Sequence, residues 1–221
     1  MNNHKNILSE INSIVQLLVR YNLADNINYP IEKKLSNGRI NIEWNNITNI
    51  SISLKNIDYK DIYNELDKNR DYTLKLPDGA LIHIMYSFDQ KGLVSHRLAF
   101  YPSPYLESYQ NEPDIYEEDI IYADIVYKNI VAFPIRFDYS REEVECDFPH
   151  PKSHSTLGQY KNCRIPVYGP ISPSAFIEFI FKNFYGKAYY KFLNGKFKGK
   201  CISFESIKEI EKKNIHFNLQ Y

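Results

Sequence analysis

The chain has 221 residues, with 27 basic and 27 acidic side chains and three cysteines. An odd cysteine count in a chain of this length argues against the disulfide framework of a small secreted protein. Neither a signal-peptide pattern nor an apolar run of about 18 residues is present, so we predict a cytoplasmic protein without a membrane span.

In chain order, the pattern predicts a single α+β domain over residues 1–221. Apolar residues at three- and four-residue steps predict an N-terminal helix over 6–22, and a second, short helix is predicted over 58–66. Alternation of apolar and polar residues predicts an antiparallel β-sheet meander over about residues 40–140. Its strands are predicted at 40–44, 48–54, 72–76, 81–88, 93–101 and 126–139, the last as one long strand or as two joined by a bend at Pro134.

After the sheet we predict a polar loop over 141–162 and a short strand over 164–168. C-terminal helices follow over 172–213. The first begins at Ser172 as N-cap, with Pro173 next, and ends near Gly186. The last helix is predicted from about residue 206, after a hairpin at Asn194-Gly195. The fold class is therefore α+β, an antiparallel meander flanked by N-terminal and C-terminal helices, without the Gly-rich loop of nucleotide-binding folds.

Titratable side chains are concentrated in the predicted loop and on the strand before it. His150 and His154 lie in the loop, Arg164 follows it, and Arg136 and Asp138 share one face of the strand. These residue types suit phosphodiester hydrolysis. One histidine acts as base on a water or a 2′-hydroxyl, the other acts as acid, and an arginine binds the phosphate. Asp138 would orient a histidine or hold a divalent ion.

Two further groups are candidate binding residues. Ser153 belongs to the histidine loop, and His96 and Arg97 lie on opposite faces of the strand at 93–101. If that strand neighbours the one ending at Tyr139, Arg97 would converge with Arg136 and Asp138.

The second group lies in the C-terminal stretch 182–200, where lysines alternate with aromatic residues, Lys187 and Tyr189 among them. Such a pattern suits the bases and phosphates of a nucleic acid. An amphipathic segment with surface lysines would give the same pattern.

Other interpretations of the loop remain open. Cys146, His150, His154 and Cys163 are metal-ligand types, but they lack the close cysteine pair that makes zinc motifs specific. Cys163 could act as a nucleophile with His154 as base. The plainest alternative is that these side chains satisfy backbone groups at turns, and that Cys163 is a core residue.

Several motifs resemble the bacterial family catalogued as domain of unknown function 2290, over roughly residues 5–190. They are Asp78-Gly79, His96-Arg-Leu, Phe100-Tyr-Pro-Ser-Pro104, Arg136-Phe-Asp138, His150-Pro-x-Ser-His154-x-Thr-x-Gly158, Cys163-Arg-Ile-Pro, Pro173-x-x-Phe176-Ile-x-Phe-Ile and Asn183-Phe-Tyr. The resemblance implies a bacterial cytosolic protein and assigns no activity. More loosely, the histidine motif resembles small proteins of toxin and phage-defence loci.

Two functions are therefore expected in competition. The first is a histidine-based hydrolase acting on a nucleic acid or another phosphodiester, with His150, His154, Asp138, Arg136 and Arg164 in the site. The second is a noncatalytic accessory module that binds a nucleic acid or a co-encoded protein. The sequence assigns no cofactor and no oligomeric state.

Overall fold

The computed structural model describes residues 3–48, 50–106, 111–125, 131–142, 150–160, 162–197, 199, 202 and 204–218. Within them, nine strands form one antiparallel sheet, and helices lie at both ends of the chain, which confirms the predicted α+β class. The strands are β1 (Asn26–Ile27), β2 (Ile31–Lys34), β3 (Ile40–Glu43), β4 (Leu74–Lys75), β5 (Leu81–Asp89), β6 (Gly92–Tyr101), β7 (Ile135–Ser140), β8 (Ser153–Leu157) and β9 (Ile165–Pro166). The helices are α1 (Asn3–Arg20), α2 (Tyr59–Lys68), α3 (Asp114–Glu118), α4 (Pro173–Phe184), α5 (Gly186–Ala188) and α6 (Glu209–Lys212), with a 3₁₀ turn at Ile50–Leu54 and a π turn at Tyr189–Leu193.

The long hairpin of β5 and β6 is the centre of the sheet. On one side, β7, β8 and β9 follow β6 in that order. On the other side, β4 pairs with the start of β5 and β3 pairs with its end, so two short ribbons flank the same long strand. The turn at Asp78-Gly79 connects β4 to β5, and Gly79 has φ +89°, a conformation that favours glycine.

One face of the sheet packs against α1 and α4 and forms the main core. The apolar stripe of α1 is buried as predicted, and Phe176, Ile177 and Ile180 of α4 are fully buried beside it. The N-terminus of α4 is satisfied by side chains. Ser172 Oγ accepts a hydrogen bond from the N–H of Ala175, and the buried Glu10 of α1 accepts one from the N–H of Ser174 at 2.9 Å. A buried carboxylate is stable there because a helix N-terminus offers donors and a positive dipole end.

The opposite face of the sheet is covered only in part. The 3₁₀ turn and α2 pack on one end of it, where Ile52, Ile62 and Leu66 contact Ala99 and Tyr101 of β6. Asp71, just after α2, holds the segment before the turn through hydrogen bonds from Thr48 N and Oγ1. The rest of this face lies outside that second core.

Two of the predictions are wrong for segments that border the cleft described below. Within the predicted strand 48–54, Ile50–Leu54 form a 3₁₀ turn, and the edge of β5 is occupied by β3 and β4 instead. Ile52 of this turn packs in the second core. The predicted loop 141–162 contains β8, a polar strand whose sequence Ser-His-Ser-Thr-Leu lacks the apolar alternation of a half-buried strand.

The C-terminal region also differs from the prediction. Tyr185 ends α4, and Gly186 begins the next short turn instead of closing the helix. The predicted hairpin at Asn194-Gly195 is absent from this described stretch, where the chain follows the π turn with a tight bend at Gly195, φ +70°. The final helix is shorter than predicted, Glu209–Lys212.

The other predicted strands and helices are either confirmed or include residues that the structure does not describe. The strands at 72–76, 81–88 and 93–101 correspond to β4, β5 and β6, and the helix at 58–66 corresponds to α2. The predicted strand 126–139 is shorter, beginning at Ile135, and residues 126–130 lie outside the described residues. Cys146 and Cys201 also lie outside the described residues. No helix in the described ranges is both long enough and apolar enough to cross a membrane.

Two histidines are buried on opposite faces of the sheet. The ring of His83 lies between those of Trp44 and Tyr101, with centroids at 5.0 and 4.7 Å. Burial lowers the pKa of His83 to about 3 and that of His96 to about 4. Both are therefore neutral in the folded protein at pH values where an exposed histidine takes up a proton.

This burial predicts a loss of stability in acid. Below about pH 6.5 the unfolded chain binds protons at these positions and the folded chain does not, so the free energy of unfolding falls with pH. For His83 alone the loss between pH 6.5 and pH 4.5 is about 2 kcal/mol. Urea unfolding of the parent and of His83→Phe, measured across this range, should show a shallower pH dependence in the variant. Parallel curves for the two proteins would contradict the assignment.

Candidate active site

The uncovered part of the second sheet face is built by three neighbouring strands in antiparallel register. Arg97 of β6 pairs with Asp138 of β7, and Asp138 pairs with His154 of β8. In the next cross-strand row, Arg136 pairs with Thr156. Because side chains alternate along a strand and directly opposed residues share a face, these side chains stand together on one surface.

This surface is the floor of a cleft of about 1230 Å³. The turn between β2 and β3, the 3₁₀ turn and the segment after β8 form its walls. Five of its side chains are Arg or Lys and two are carboxylates. Arg39 is also paired with Glu142, 2.7 Å away and outside the lining, and a smaller excess of positive charge remains. The charged residues are Arg39, Lys55, Arg97, Arg136 and Arg164, with Glu43 and Asp138.

Asp138 holds two guanidinium groups at the floor of the cleft. Arg97 Nε donates a hydrogen bond to Asp138 Oδ1 at 2.8 Å, and Arg136 Nε lies 3.6 Å from Oδ2. Burial raises the pKa of Asp138, but the charges of Arg97 and Arg136 outweigh this and the pKa is lowered overall. The carboxylate is therefore ionised at neutral pH, and the three groups together keep one net positive charge.

The two loop histidines meet beside this ion cluster. Their rings are in edge contact, with centroids 4.9 Å apart. His154 Nδ1–H donates to the carbonyl oxygen of Pro151 at 3.0 Å, which fixes the neutral tautomer and leaves the lone pair on Nε2. Burial, and then the nearby charge of Arg164, lower the pKa of His150. Burial also lowers the pKa of His154, and the partial offset from Asp138 does not reverse it.

The structure therefore brings together five residues that the sequence analysis chose, His150, His154, Asp138, Arg136 and Arg164. Arg97 joins them, as expected from the neighbouring strands. Cys163 also lines the cleft, and its Sγ accepts a hydrogen bond from the Leu157 N–H at 3.5 Å. This contact ties Cys163 to the end of β8.

The side chains of the other candidate binding residues are engaged elsewhere, although His96 also borders the cleft. His96 and Ser153 are buried with their side chains on the core face of the sheet, and His96 Nε2 accepts a hydrogen bond from the Ile171 N–H at 3.0 Å. Lys187 Nζ donates to the carbonyl oxygens of Tyr116 and Glu117, which connects α3 to the C-terminal region. Tyr189 donates its hydroxyl proton to Glu178. All four have packing or bonding roles.

Several cleft residues were missed by the sequence analysis. Arg39 enters the cleft through the pairing of β3 with β5, which are far apart in sequence. Lys55 follows a segment that was predicted to be a strand. Tyr160 stands at the cleft beyond β8, with 76% of its surface exposed. No local pattern marks these three, because each depends on long-range pairing.

The metal interpretation has no support in the described part of the chain. There, no group of three or more His, Cys, Asp and Glu side chains is close enough to hold a metal ion. Cys146, one of the four proposed ligands, lies outside the described residues.

The comparison with protein families agrees with the motifs in the cleft. The model of a family described as "Uncharacterized conserved protein (DUF2290)" matches residues 23–219. The chain belongs to the DUF2290 family. This match includes every charged residue of the cleft. No curated protein and no solved structure matches the sequence significantly.

The ion cluster predicts a measurable contribution of Asp138 to stability. In Asp138→Asn, two largely buried guanidinium groups lose their shared carboxylate, and we expect the free energy of unfolding to fall by about 1–3 kcal/mol. Asp89→Asn is the matched control, because Asp89 pairs with Arg141 near the surface. Urea unfolding at neutral pH should show a clearly smaller loss for the control. Equal losses would mean that Asp138 contributes no more to the free energy of unfolding than Asp89 does.

Proposed function

We propose that the cleft is the active site of a histidine-based hydrolase that cleaves phosphodiester bonds in a nucleic acid. The observation that supports this most directly is the meeting of His150 and His154, in ring contact, with Arg97, Arg136 and Arg164 in one cleft. Proton transfer and phosphate binding need these two kinds of group within reach of the same atoms.

The electrostatics of the cleft support an anionic substrate. Cations outnumber carboxylates there, although the whole chain has no net charge. Such a concentration of one charge attracts phosphate groups. Small-molecule pockets have volumes of roughly 300–1,000 Å³, and this cleft of about 1230 Å³ is larger. A segment of a polynucleotide therefore suits it better than a single small phosphate ester.

The two histidines have complementary roles in this mechanism. His154 is the base, because its neutral tautomer presents the Nε2 lone pair. It takes the proton from an attacking water or 2′-hydroxyl as the new P–O bond forms. His150, in its protonated form, gives a proton to the leaving oxygen as the old P–O bond breaks. The arginines stabilise the negative charge that develops on the phosphorus oxygens.

The proposal predicts cleavage that depends on His154. The parent protein is incubated with RNA and with DNA, each with a divalent cation and with chelator, and products are separated on denaturing gels. We expect cleavage of at least one polymer, and His154→Ala should lower kcat/KM by about 10²–10⁴-fold. His216→Ala, a histidine outside the cleft, should retain parental activity. Absence of cleavage in every arm, or full activity of His154→Ala, would contradict the proposal.

The lowered pKa values predict the position of the pH optimum. The base must be unprotonated and the acid protonated, so kcat/KM is maximal between the two pKa values. Both values are lowered from the ordinary 6.5, and the maximum should therefore lie below pH 6.5. Arg164→Gln removes a charge that lowers both pKa values, so its optimum should move to higher pH. A parental maximum above pH 7, or no movement in the variant, would argue against this pair.

A noncatalytic module remains the second candidate. The positive cleft alone would suffice to bind a nucleic acid or an acidic partner protein. Under this alternative, His154→Ala would bind the same polymer as the parent and neither protein would cleave it. An association with toxin or phage-defence loci is compatible with both candidates and stays a proposal.

A further inference from the structure

Tyr160 is an exposed aromatic residue on a turn that is held in place by several contacts. Gly158, with φ +63°, turns the chain after β8, and its N–H donates to the carbonyl oxygen of Pro134 at 2.7 Å. The side-chain amide of Gln159 donates to the carbonyl oxygen of Ile57 at 2.8 Å. The carbonyl oxygen of Tyr160 itself accepts from the Cys163 N–H at 3.2 Å.

The ring of Tyr160 lies over Gly158, where a Cβ would be 3.6 Å from two of its ring carbons. Phe133, the second partly exposed aromatic residue here, adjoins the same glycine, with its Cβ at 3.8 Å from that position. A single exposed tyrosine needs no explanation on a protein surface. Here the ring lines a cleft that has an excess of positive charge. The hydrogen bonds of Gly158, Gln159 and the Tyr160 carbonyl hold the turn in place.

We propose that Tyr160 is a stacking platform for a nucleobase, and that the cleft consequently takes single-stranded nucleic acid. An aromatic ring beside a cationic groove is the combination by which proteins bind single strands, since bases stack on the ring while cations contact the phosphates. A base inside a duplex has both faces covered by its neighbours and cannot stack on Tyr160. This inference rests on the proposed nucleic-acid function and specifies its substrate.

Stacking and phosphate binding have separate places in the cleft. Arg97 and Arg136 lie on the strands of the floor, whereas Tyr160 lies beyond the end of β8. His150 and Arg164 line the same cleft. A nucleotide whose base stacks on Tyr160 would thus direct its phosphate toward the arginines and histidines. Tyr160 is accordingly a specificity-determining residue, and the proton transfers remain with the histidines.

The test measures binding in the His154→Ala background, so that the probes are not cleaved. Fluorescence anisotropy compares a labelled single-stranded oligonucleotide, the corresponding duplex and an abasic strand with the same number of phosphates. RNA and DNA versions of each probe are used at low salt. We expect the base-bearing single strand to bind tightest. Adding Tyr160→Ala should weaken its binding roughly five- to hundred-fold and remove its advantage over the abasic strand.

Two variants control for loss of structure and for surface aromatic residues in general. Tyr160→Phe keeps the ring and should bind like the background protein. Tyr29→Ala removes another exposed tyrosine, 61% exposed and outside the cleft lining, and should also leave binding unchanged. Thermal unfolding checks that Tyr160→Ala folds as the background protein does.

The outcomes separate the inference from the function on which it rests. If the oligonucleotides bind but Tyr160→Ala has no effect, or the duplex binds as tightly as the single strand, the stacking inference is overturned, while the proposed function is still decided by the cleavage assay. If the parent protein neither binds nor cleaves any of the RNA or DNA probes, the proposed function itself fails. Loss of base-dependent binding in Tyr160→Ala, with Tyr160→Phe unaffected, supports the stacking inference and nucleic-acid binding in the cleft.

Discussion

The antiparallel register of β6, β7 and β8 is the constraint on which the site depends. It places Arg97, Asp138 and His154 in one row across the sheet, with Arg136 in the adjacent row. Two guanidinium groups this close would repel each other on a largely buried surface if Asp138 did not lie between them. If one of these three strands shifted by one residue, the side chains that it contributes to the cluster would point into the main core. The same register therefore determines the packing of one face and the chemistry of the other.

The two faces of the sheet are covered to different extents. The helices α1 and α4 cover one face, and there the buried His96 is hydrogen-bonded to the chain entering α4. On the other face, α2 and the 3₁₀ turn reach only to Ala99 and Tyr101. Beyond that boundary, Arg136, Asp138, His154 and Thr156 line the cleft. The four polar residues of β8 are nonetheless buried, and the strand is held by its backbone pairing with β7 and β9.

The parts of the fold and of the site that could be predicted from sequence are those that depend on residues close together in the chain. The convergence of Arg97, Arg136 and Asp138 follows from strand alternation, provided that β6 and β7 pair, and sequential strands usually do. By contrast, β8 was not predicted, because strand prediction relies on apolar alternation and this strand is polar on both faces, with Ser153 and Ser155 on the core side. The cleft cations at positions 39 and 55 depend on the pairing of β3 with β5 and on the 3₁₀ turn. Those arrangements are decided by competition for sheet edges, which local sequence does not encode.

Under the proposed mechanism, phosphate binding and proton transfer would be coupled. The charge of Arg164 lowers the pKa of both histidines, so it favours their neutral forms in the unliganded protein. A phosphate bound beside Arg164 would offset that charge and raise both pKa values, and by linkage the phosphate would bind more tightly when a histidine is protonated. Substrate would therefore help to place the proton that His150 must donate, while His154 keeps its Nδ1 proton on the Pro151 carbonyl. The Pro151 contact also satisfies a backbone carbonyl beside β8, so it serves the fold whether the cleft catalyses a reaction or only binds phosphate.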